Sequence, residues 1–421
     1  MFQSGAQFMI LVALVGLVLM RESRQPPIDG LDESFADFLA INSRRTEEPA
    51  PVTLVGIDEG SLKERPWPWT PLEYALFFQA AEVFKPAAAA TSELLHWDAK
   101  QMTPEAARKL PQYQKILREH VLQSSKVLLA AQLGYPEDET MPPPVQETPL
   151  IRNVTGDLSG IPEFTAIETQ ADEDFRLSST TGFANLPRAA RYTRTVPLVL
   201  RYHGQVVPGF VLQAILMCEK LTTDDVAVEP GVRITLADRL QIPIDREGRM
   251  RIDFGVHRRR CSFEELVLSS DQSENARATL VPGDWLTDKF LLLARTDNAA
   301  KNVNFAPGRN GSPGELFAAA IGTIQKGSFI KRAPIWFEYG IVAIMVLVAR
   351  ACRRWRKFST FLVMLLATVA YVMLAITFFG RSLIWAPIVV PAGLAIFITI
   401  FRLATPGVES KWDVPPKEYR S

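Results

Sequence analysis

Acidic and aromatic residues that could bind a ligand follow a β-rich run early in the chain. Asp58 and Glu59 end the segment "VGIDE", and Trp67 and Trp69 alternate with prolines in "RPWPWTP". Side chains of adjacent strand residues point in opposite directions, so we do not expect the two acids to share a proton in acid–base chemistry. The two rings could stack on a planar or cationic ligand. Packing of the rings between a helix and the sheet is the alternative, and it is the more common use of large aromatics.

A third acid follows a second apolar run. Asp297 comes shortly after "FLLLA" (290–294), and Asp58 comes directly after "VTLVGI" (52–57). If these two runs are parallel strands of one sheet, both acids lie on the rim where ligands bind in such sheets. The predicted ligand-binding residues are therefore Asp58, Trp67, Trp69 and Asp297.

The sequence contains none of the common catalytic motifs. It has no glycine-rich phosphate loop, no His-Glu-x-x-His pair, no Cys-x-x-Cys and no Gly-x-Ser-x-Gly elbow. Its four histidines are scattered along the chain. We therefore expect neither an enzyme nor a cofactor or metal site. The balance of 46 basic and 46 acidic residues also gives no reason to expect a nucleic acid partner.

Two cysteines and a basic run lie in the central region of the chain. Cys218 and Cys261 could form a disulfide if this region lies outside the cytoplasm, or they could be buried free thiols, which we favour. The run "HRRRC" (257–261) is expected to be a solvated loop, with contact to an anionic polymer as the alternative.

The candidate residues require a sheet edge to bring them together, and the pattern between residues 50 and 330 supplies one. Apolar runs with strand character alternate with segments of helical spacing, and a hairpin with its turn at Gly204 lies between them. The four runs that predict buried strands are 52–57, 87–91, 126–132 and 290–294. The four segments that predict helices are 74–84, 104–125, 210–220 and 313–326. This alternation predicts an α/β domain with a mixed, largely parallel sheet and an antiparallel insertion.

Long apolar segments at both ends of the chain predict membrane spans. Residues 1–20 carry no charge, and three further apolar runs, 333–349, 358–380 and 383–401, approach the roughly 20 residues needed to cross a bilayer. We interpret the first segment as an uncleaved anchor rather than a cleaved secretory signal, because it lacks a basic start and a small-residue cleavage site. The predicted organisation is an anchor (1–21), an extracytoplasmic domain (22–332), three transmembrane helices (333–402) and a short cytoplasmic tail (403–421).

Basic residues predict the orientation of these spans. The loop between the second and third spans contains Arg350, Arg353, Arg354, Arg356 and Lys357. Basic loops are typically cytoplasmic, so residues 22–332 should lie outside the cytoplasm. Arg21 and Arg24 are then on the disfavoured outer side of the first span. Glu338, near the outer end of its span, is interpreted as an interfacial residue, with a polar contact to a neighbouring helix as the alternative.

A set of motifs resembles a known family. The motifs are, in chain order, "VGIDEGSL", "PWPWTP", "RTVPLVLRYHG", "RIDFG", "LLLARTDN" and "GSPGELFAAAIGTIQKGSFI". Together they resemble the type-2 CHASE domain, an extracellular sensory domain of bacterial signalling receptors, over roughly residues 30–330. The resemblance implies a sensor between one N-terminal and about three C-terminal spans of the cell (inner) membrane. The apolar segments predict the same layout independently.

The sequence departs from the family pattern in two respects. Thr70 and Pro71 stand where relatives often carry an Arg, and Ser92 or Glu93 stands where they carry an Asp. Such receptors also normally continue into a kinase or nucleotide cyclase, whereas only some twenty residues follow 401 here. The resemblance therefore implies either a different ligand or none, and an effector supplied in trans.

Two hypotheses of different classes follow. The first is a membrane-anchored sensor that binds a small ligand or partner and signals through its transmembrane bundle. Its expected partners are the lipid bilayer, a cytoplasmic kinase or cyclase in trans, and a second copy of the chain as a homo-oligomer. The second hypothesis is a structural or assembly component of the cell envelope that has no ligand and tolerates Asp58→Asn and Asp297→Asn.

Overall fold

The chain forms two compact units, Thr46–Phe329 and a second made of Met1–Arg45 together with Ile330–Ser421. The computed structural model describes residues 5–25, 28–43, 48–98, 100, 102–124, 126–135, 149–187, 192–306, 308–352 and 357–404. Arg353, Arg354 and Arg356 of the basic loop, like the predicted tail beyond residue 404, lie outside these described residues.

The described residues form α-helices and β-strands in the following order along the chain. The α-helices are α1 Gly5–Glu22, α2 Asp29–Asn42, α3 Glu59–Glu64, α4 Pro71–Val83, α5 Pro104–Gln123, α6 Glu173–Arg176, α7 Phe210–Glu219, α8 Phe263–Glu274, α9 Pro313–Gln325, α10 Ile335–Cys352, α11 Lys357–Ser382 and α12 Val389–Ala404. The strands are β1 Ala50–Ile57, β2 Ala88–Leu94, β3 Val127–Gly134, β4 Asn153–Val154, β5 Glu163–Phe164, β6 Ala166–Thr169, β7 Thr180–Phe183, β8 Thr195–Pro197, β9 Val199–Tyr202, β10 Gln205–Pro208, β11 Val226–Glu229, β12 Arg233–Leu236, β13 Leu240–Pro243, β14 Arg249–Arg251, β15 Arg258–Ser262, β16 Phe290–Arg295, β17 Val303–Ala306, β18 Arg309–Gly311, β19 Lys331–Arg332 and β20 Ile384–Trp385.

The Thr46–Phe329 unit is built on a largely parallel sheet. Its strands lie in the order β15-β1-β16-β2-β3, and each pairs in parallel with its neighbour. The far edge of β3 pairs first with β7, in parallel, and then with β6, which is antiparallel. The mixed α/β class with a largely parallel sheet is therefore confirmed.

Both faces of this sheet are buried, which explains why its strands read as continuous apolar runs. Leu292 and Ala294 of β16 belong to the core that contains helices α7 and α9. The alternate residues Leu291 and Leu293 belong to the core on the other face, with helices α4, α5 and α8. The result is a three-layer arrangement of helices, sheet and helices, as the strand–helix alternation predicted.

The predicted antiparallel insertion is present. Strands β9 and β10 form a hairpin in which His203 and Gly204 have φ angles of +47° and +77°, as a two-residue hairpin turn requires. Strands β11, β12 and β13 form a second antiparallel group, to which β4 adds in parallel. These strands stand apart from the parallel sheet, and Leu200 of β9 lines the cavity described below.

The prediction that "HRRRC" forms a solvated loop is wrong. These residues lead into β15, which pairs with β1 in a register that sets Cys261 opposite Val55. Alternation along the strand buries Cys261, while Arg259 and Arg260 form ion pairs with Asp284 and Glu315. The strand was hidden in the sequence because its partner lies some two hundred residues earlier.

Cys218 and Cys261 are free thiols. Cys218 lies near the end of α7 and is half-buried, and Cys261 is buried in β15. Burial raises the pKa of each thiol from 9.0 to about 12, so both are protonated at neutral pH. Of the two alternatives, the free thiols are therefore observed.

The four apolar segments of the sequence form α1, α10, α11 and α12 of the second unit, and α2 follows α1 in the chain. Side chains of α1, α10, α11 and α12 share one apolar core. By length and composition, one helix within the described part of the chain, Phe358–Ser382, is long and apolar enough to cross a membrane. The helix α12 is apolar but shorter.

Glu338 of α10 makes polar contacts inside the helical unit. Its side chain is fully buried, and one carboxylate oxygen accepts from Arg24 at 2.7 Å and lies 3.3 Å from the guanidinium of Arg332. Arg332 also pairs with the buried Asp32 of α2 at 3.3 Å. Asp32 in turn accepts backbone N–H groups at the start of α12. The alternative of a polar contact inside the helical unit is therefore observed.

Candidate functional site

The carboxyl ends of β1, β2 and β16 meet at one edge of the parallel sheet, the edge at which ligands bind in this class of fold. A cavity of about 1010 Å³ opens there. The sheet edge forms one wall of the cavity, and the antiparallel insertion forms another. Its charged and aromatic lining consists of Trp67, Glu93, Tyr135, Phe164, Glu168, Glu247, Arg249, Arg295 and Phe317.

Arg295, the last residue of β16, is held by three contacts. Its guanidinium donates Nε and Nη2 hydrogen bonds to the two carboxylate oxygens of Asp297, at 2.9 and 2.8 Å. Its guanidinium carbon lies 4.4 Å from the centre of the Trp67 ring. Its backbone N–H donates to Glu93 Oε1 at 3.0 Å. Arg295 thus joins the ends of two neighbouring strands to the Trp-Pro-Trp turn.

Asp297 acts by fixing Arg295. Its side chain is buried, and its Oδ2 also accepts the backbone N–H of Ala299 at 3.1 Å, which caps the 3-10 helix Asn298–Ala300. Burial alone would raise the pKa of Asp297, but the hydrogen bonds and charge of Arg295 outweigh it and hold the pKa below its usual 3.8. Asp297 is therefore a carboxylate at neutral pH, and it occupies the guanidinium of Arg295.

The two tryptophans have different environments. Trp69 is 3% exposed, and its ring packs against Tyr74 and Phe263 in the core beneath α4 and α8. Trp67 is 36% exposed, stacks on Arg295 and lines the cavity. The ring centres are 6.4 Å apart, with the planes tilted by 39°. The structure therefore places one ring in the core and the other at the cavity.

Asp58 lies on the same sheet edge but has a capping role. Its carboxylate accepts the backbone N–H of Ser61 at 2.9 Å and starts α3. The adjacent Glu59 points elsewhere and accepts the backbone N–H of Asn298 at 2.9 Å, which joins the loops after β1 and β16. Among the described residues, the cavity lining includes neither Asp58 nor Asp297.

The sequence analysis missed most of the side chains that line the cavity. Glu93 was noted only as a departure from the family pattern, yet it lies at the centre of the rim, where burial raises its pKa above the usual 4.5. The charged residue that ends the apolar run of β16, Arg295, was a usable signal in the sequence. Glu168 lies on β6 at the far edge of the main sheet and Arg249 lies on β14, and no local pattern in the sequence indicates where these two strands fold.

No group of three or more His, Cys, Asp or Glu side chains within the described ranges is placed to hold a metal ion. The arrangement at the rim instead offers hydrogen-bonding groups, carboxylates and aromatic surface to a ligand. Such a mixture of a few polar groups and apolar walls is typical of a small-molecule pocket.

A protein-family model matches the chain. No curated protein and no solved structure matches the chain. The family model of the CHASE2 domain matches residues 10–351, which is most of the chain, and it confirms the resemblance seen in the motifs. CHASE2 domains are extracellular sensory domains of membrane receptors. The chain belongs to the CHASE2 domain family.

Proposed function

We propose that this protein is a membrane-anchored sensor whose α/β unit binds a small molecule or partner outside the cytoplasm. The observation that carries the proposal is the cavity of about 1010 Å³ at the carboxyl edge of the sheet. Its position follows the general rule for ligand binding in open parallel sheets, and the family supplies the sensory context. In this proposal the protein is a receptor and not an enzyme.

In the proposed arrangement α1, α10, α11 and α12 all cross the cell membrane. The helix α11 meets the length requirement by itself, and the proposal extends the same role to the three shorter helices because they share an apolar core with it. The basic loop between α10 and α11 is then cytoplasmic, and residues 22–332 are outside. Within this unit α1, α10 and α12 pack against one another, and α11 packs against α12 and α2.

Signalling requires that the ligand bind one arrangement of the protein more tightly than another. The proposal is that the sheet-edge cavity supplies this difference and that the helical unit passes it to a cytoplasmic kinase or cyclase. A second copy of the chain is a further proposed partner, because receptors of this kind can signal through a change in their association.

Native mass spectrometry of the full chain, extracted from the membrane of its own cells, tests the binding role. We expect the wild type to carry a bound molecule and Ala300→Trp to lose it, since Ala300 lines the cavity. Ala278→Trp is the matched control, because Ala278 is exposed on a different loop. The same preparation should contain a kinase or cyclase whose amount differs between the wild type and Ala300→Trp.

Two results, if both were obtained, would contradict the proposal. One is a wild-type chain with no bound molecule. The other is an identical pattern of cross-links between cysteines introduced into α1 and α10 in the wild type and in Ala300→Trp. Together these results would favour the structural role, in which the outer unit holds other envelope proteins without a ligand.

A further inference from the structure

In the described lining of the cavity, some charged side chains have a partner of opposite charge and others do not. Arg295 is paired with Asp297 by two hydrogen bonds. Arg249 is paired with Asp245 at 3.0 Å and with Glu247 at 2.8 Å. Both arginines of the lining therefore already have carboxylate partners, and neither guanidinium is free to neutralise an anionic ligand.

Two carboxylates of the lining lack such partners. In the part of the chain that the structure describes, neither Glu93 nor Glu168 has a cationic side chain within ion-pair distance. Glu93 accepts a single backbone N–H, that of Arg295. Burial raises the pKa of Glu93, and the backbone N–H and the charge of Arg295 offset this rise only in part. The described lining thus carries an excess of negative charge.

Aromatic surface lies beside the second carboxylate. The rings of Tyr135 and Phe164 are 5.5 Å apart between centres and tilted by 32°, and the Tyr135 side chain is 64% exposed. A carboxylate oxygen of Glu168 lies 2.9 Å from the position that a Cβ at Gly134 would take. Because Gly134 precedes Tyr135, the acid and the aromatic pair share one corner of the cavity.

We propose that this cavity binds a small organic cation, a primary amine or quaternary ammonium attached to an apolar body. This inference rests on the proposed sensor function and names its ligand class. Glu93 and Glu168 supply the negative charge, and Tyr135 and Phe164 supply ring faces that attract cations and cover the apolar body. Along the described lining, an anionic ligand of the same size would meet two carboxylates without a cationic partner there and arginines that are already paired.

Isothermal titration of the purified full chain in detergent tests the ligand class. The probes are phenethylamine, putrescine and choline, and the controls are 3-phenylpropionate, succinate and 2-phenylethanol, which resemble the cations in size but are anionic or neutral. We expect at least one cation to bind at least about tenfold more tightly than its matched acid, since the acid adds repulsion where the cation gains attraction.

Charge-neutral variants locate the binding. The double variant Glu93→Gln with Glu168→Gln should weaken binding of the cation by about tenfold or more, because it removes both unpaired charges while preserving side-chain shape. Glu82→Gln is the matched control, with the same change of charge at an exposed position on α4, and it should bind as the wild type does.

Each other outcome overturns the inference in a way that separates it from the sensor proposal. If the matched acids bind and Ala300→Trp abolishes their binding, the cavity is a ligand site for anions and the sensor role stands. If a cation binds equally to the double variant, it binds elsewhere. If no cation binds while native mass spectrometry still detects a molecule lost in Ala300→Trp, only the ligand class is wrong.

Discussion

Arg295 organises the sheet edge because its contacts reach three different neighbours. The guanidinium is taken up by Asp297 and covered by Trp67, and the backbone N–H is taken up by Glu93. The cavity lining therefore combines an already paired arginine with carboxylates, Glu93 and Glu168, that have no cationic side chain within ion-pair distance among the described residues. These contacts hold the rim in place on the side of β16. The carboxylates are the polar groups of the rim that remain available for hydrogen bonding.

Replacing Asp297 with Asn should destabilise the protein in a pH-dependent way. At neutral pH we expect a loss of about 1–3 kcal/mol, because the buried charge-assisted hydrogen bonds to Arg295 are broken. The pKa of Asp297 is lowered in the folded state, so its contribution is present above the usual value of 3.8 and is lost as the pH falls through the folded pKa. Melting temperatures of the full chain in detergent, measured from pH 7 to pH 3, would reveal this.

The matched control for that series is Asp224→Asn, which changes an exposed aspartate in a surface turn. It should shift the melting temperature little at any pH. A constant gap between Asp297→Asn and the wild type down to pH 3 would show that the charge of Asp297 is not what holds Arg295.

The two tryptophans should differ strongly in their effect on stability. Trp69→Ala removes a buried ring packed on Tyr74 and Phe263 and should cost about 3–5 kcal/mol. Trp67→Ala removes a half-exposed ring whose main partner is Arg295, at a cost of about 0.5–1 kcal/mol. Thermal unfolding of the two variants of the full chain would compare them, and equal losses would contradict the different environments seen here.

Among the secondary-structure elements, the long helices, the central strands and the β9–β10 hairpin could be predicted, and most other short elements could not. Strands β1, β2, β3 and β16 are apolar on both faces, so they are visible as runs in the sequence. Strand β15 is rich in arginine and becomes a strand only by pairing with β1. The helix α8 had a usable signal, the Ser262 and Glu265 capping box, which the sequence analysis did not use.

The candidate site could likewise be predicted only in part. Asp58 and Asp297 were placed on one edge because strand ends of a parallel sheet share an edge, and the structure does bring both to that edge. The pattern could not predict the direction in which these side chains point. The carboxylate of Asp58 accepts a local backbone N–H, and the carboxylate of Asp297 accepts from Arg295. The cavity walls from the insertion depend on long-range pairing that no local pattern encodes.

The helix α9 approaches β16 so closely that its start requires glycine. A Cβ at Gly314 would lie 2.0 Å from the Cβ of Ala294. We expect Gly314→Ala to force the helix from the sheet and cost about 1–3 kcal/mol, visible as a lower melting temperature of the full chain. Gly283→Ala is the control, because no atom lies within 4 Å of its Cβ position, and a similar loss there would contradict the steric explanation.

The ion-pair network of the helical unit makes a further prediction. Glu338→Gln removes the charge shared by Arg24 and Arg332, and it should destabilise the full chain in detergent by about 1–3 kcal/mol. Arg24→Gln should cost less, since Arg332 still neutralises Glu338 and Arg24 is 39% exposed. A larger effect of Arg24→Gln in thermal unfolding would mean that Glu338 is not the centre of the network.

For the whole molecule, the network also bears on the proposed orientation. Arg24 lies on the proposed outer side of α1, where basic residues are disfavoured. In the structure its charge is matched by the buried Glu338, so the protein itself compensates this cation. The orientation that the basic loop after α10 predicts is then not opposed by a basic cluster of similar size.

Cysteine labelling should establish the orientation. In a Cys352→Ser background we expect Glu105→Cys to react with a membrane-impermeant maleimide on cells whose outer barrier has been opened, and Ser421→Cys to react only after lysis. Cys218 and Cys261 should remain silent, because burial raises the pKa of both thiols to about 12. Labelling of Glu105→Cys only after lysis would reverse the proposed topology.

The helical unit is assembled from both sides of the inserted α/β unit, and this order has a consequence during synthesis. The side chains that cover α1 come from α10 and α12, which the ribosome reaches only after residues 23–334. At about 5–20 residues per second, α1 waits roughly tens of seconds without its permanent neighbours. A nascent chain that stalls before α10 would leave that apolar face uncovered, and quality-control proteases of the membrane would have an unmated helix to recognise.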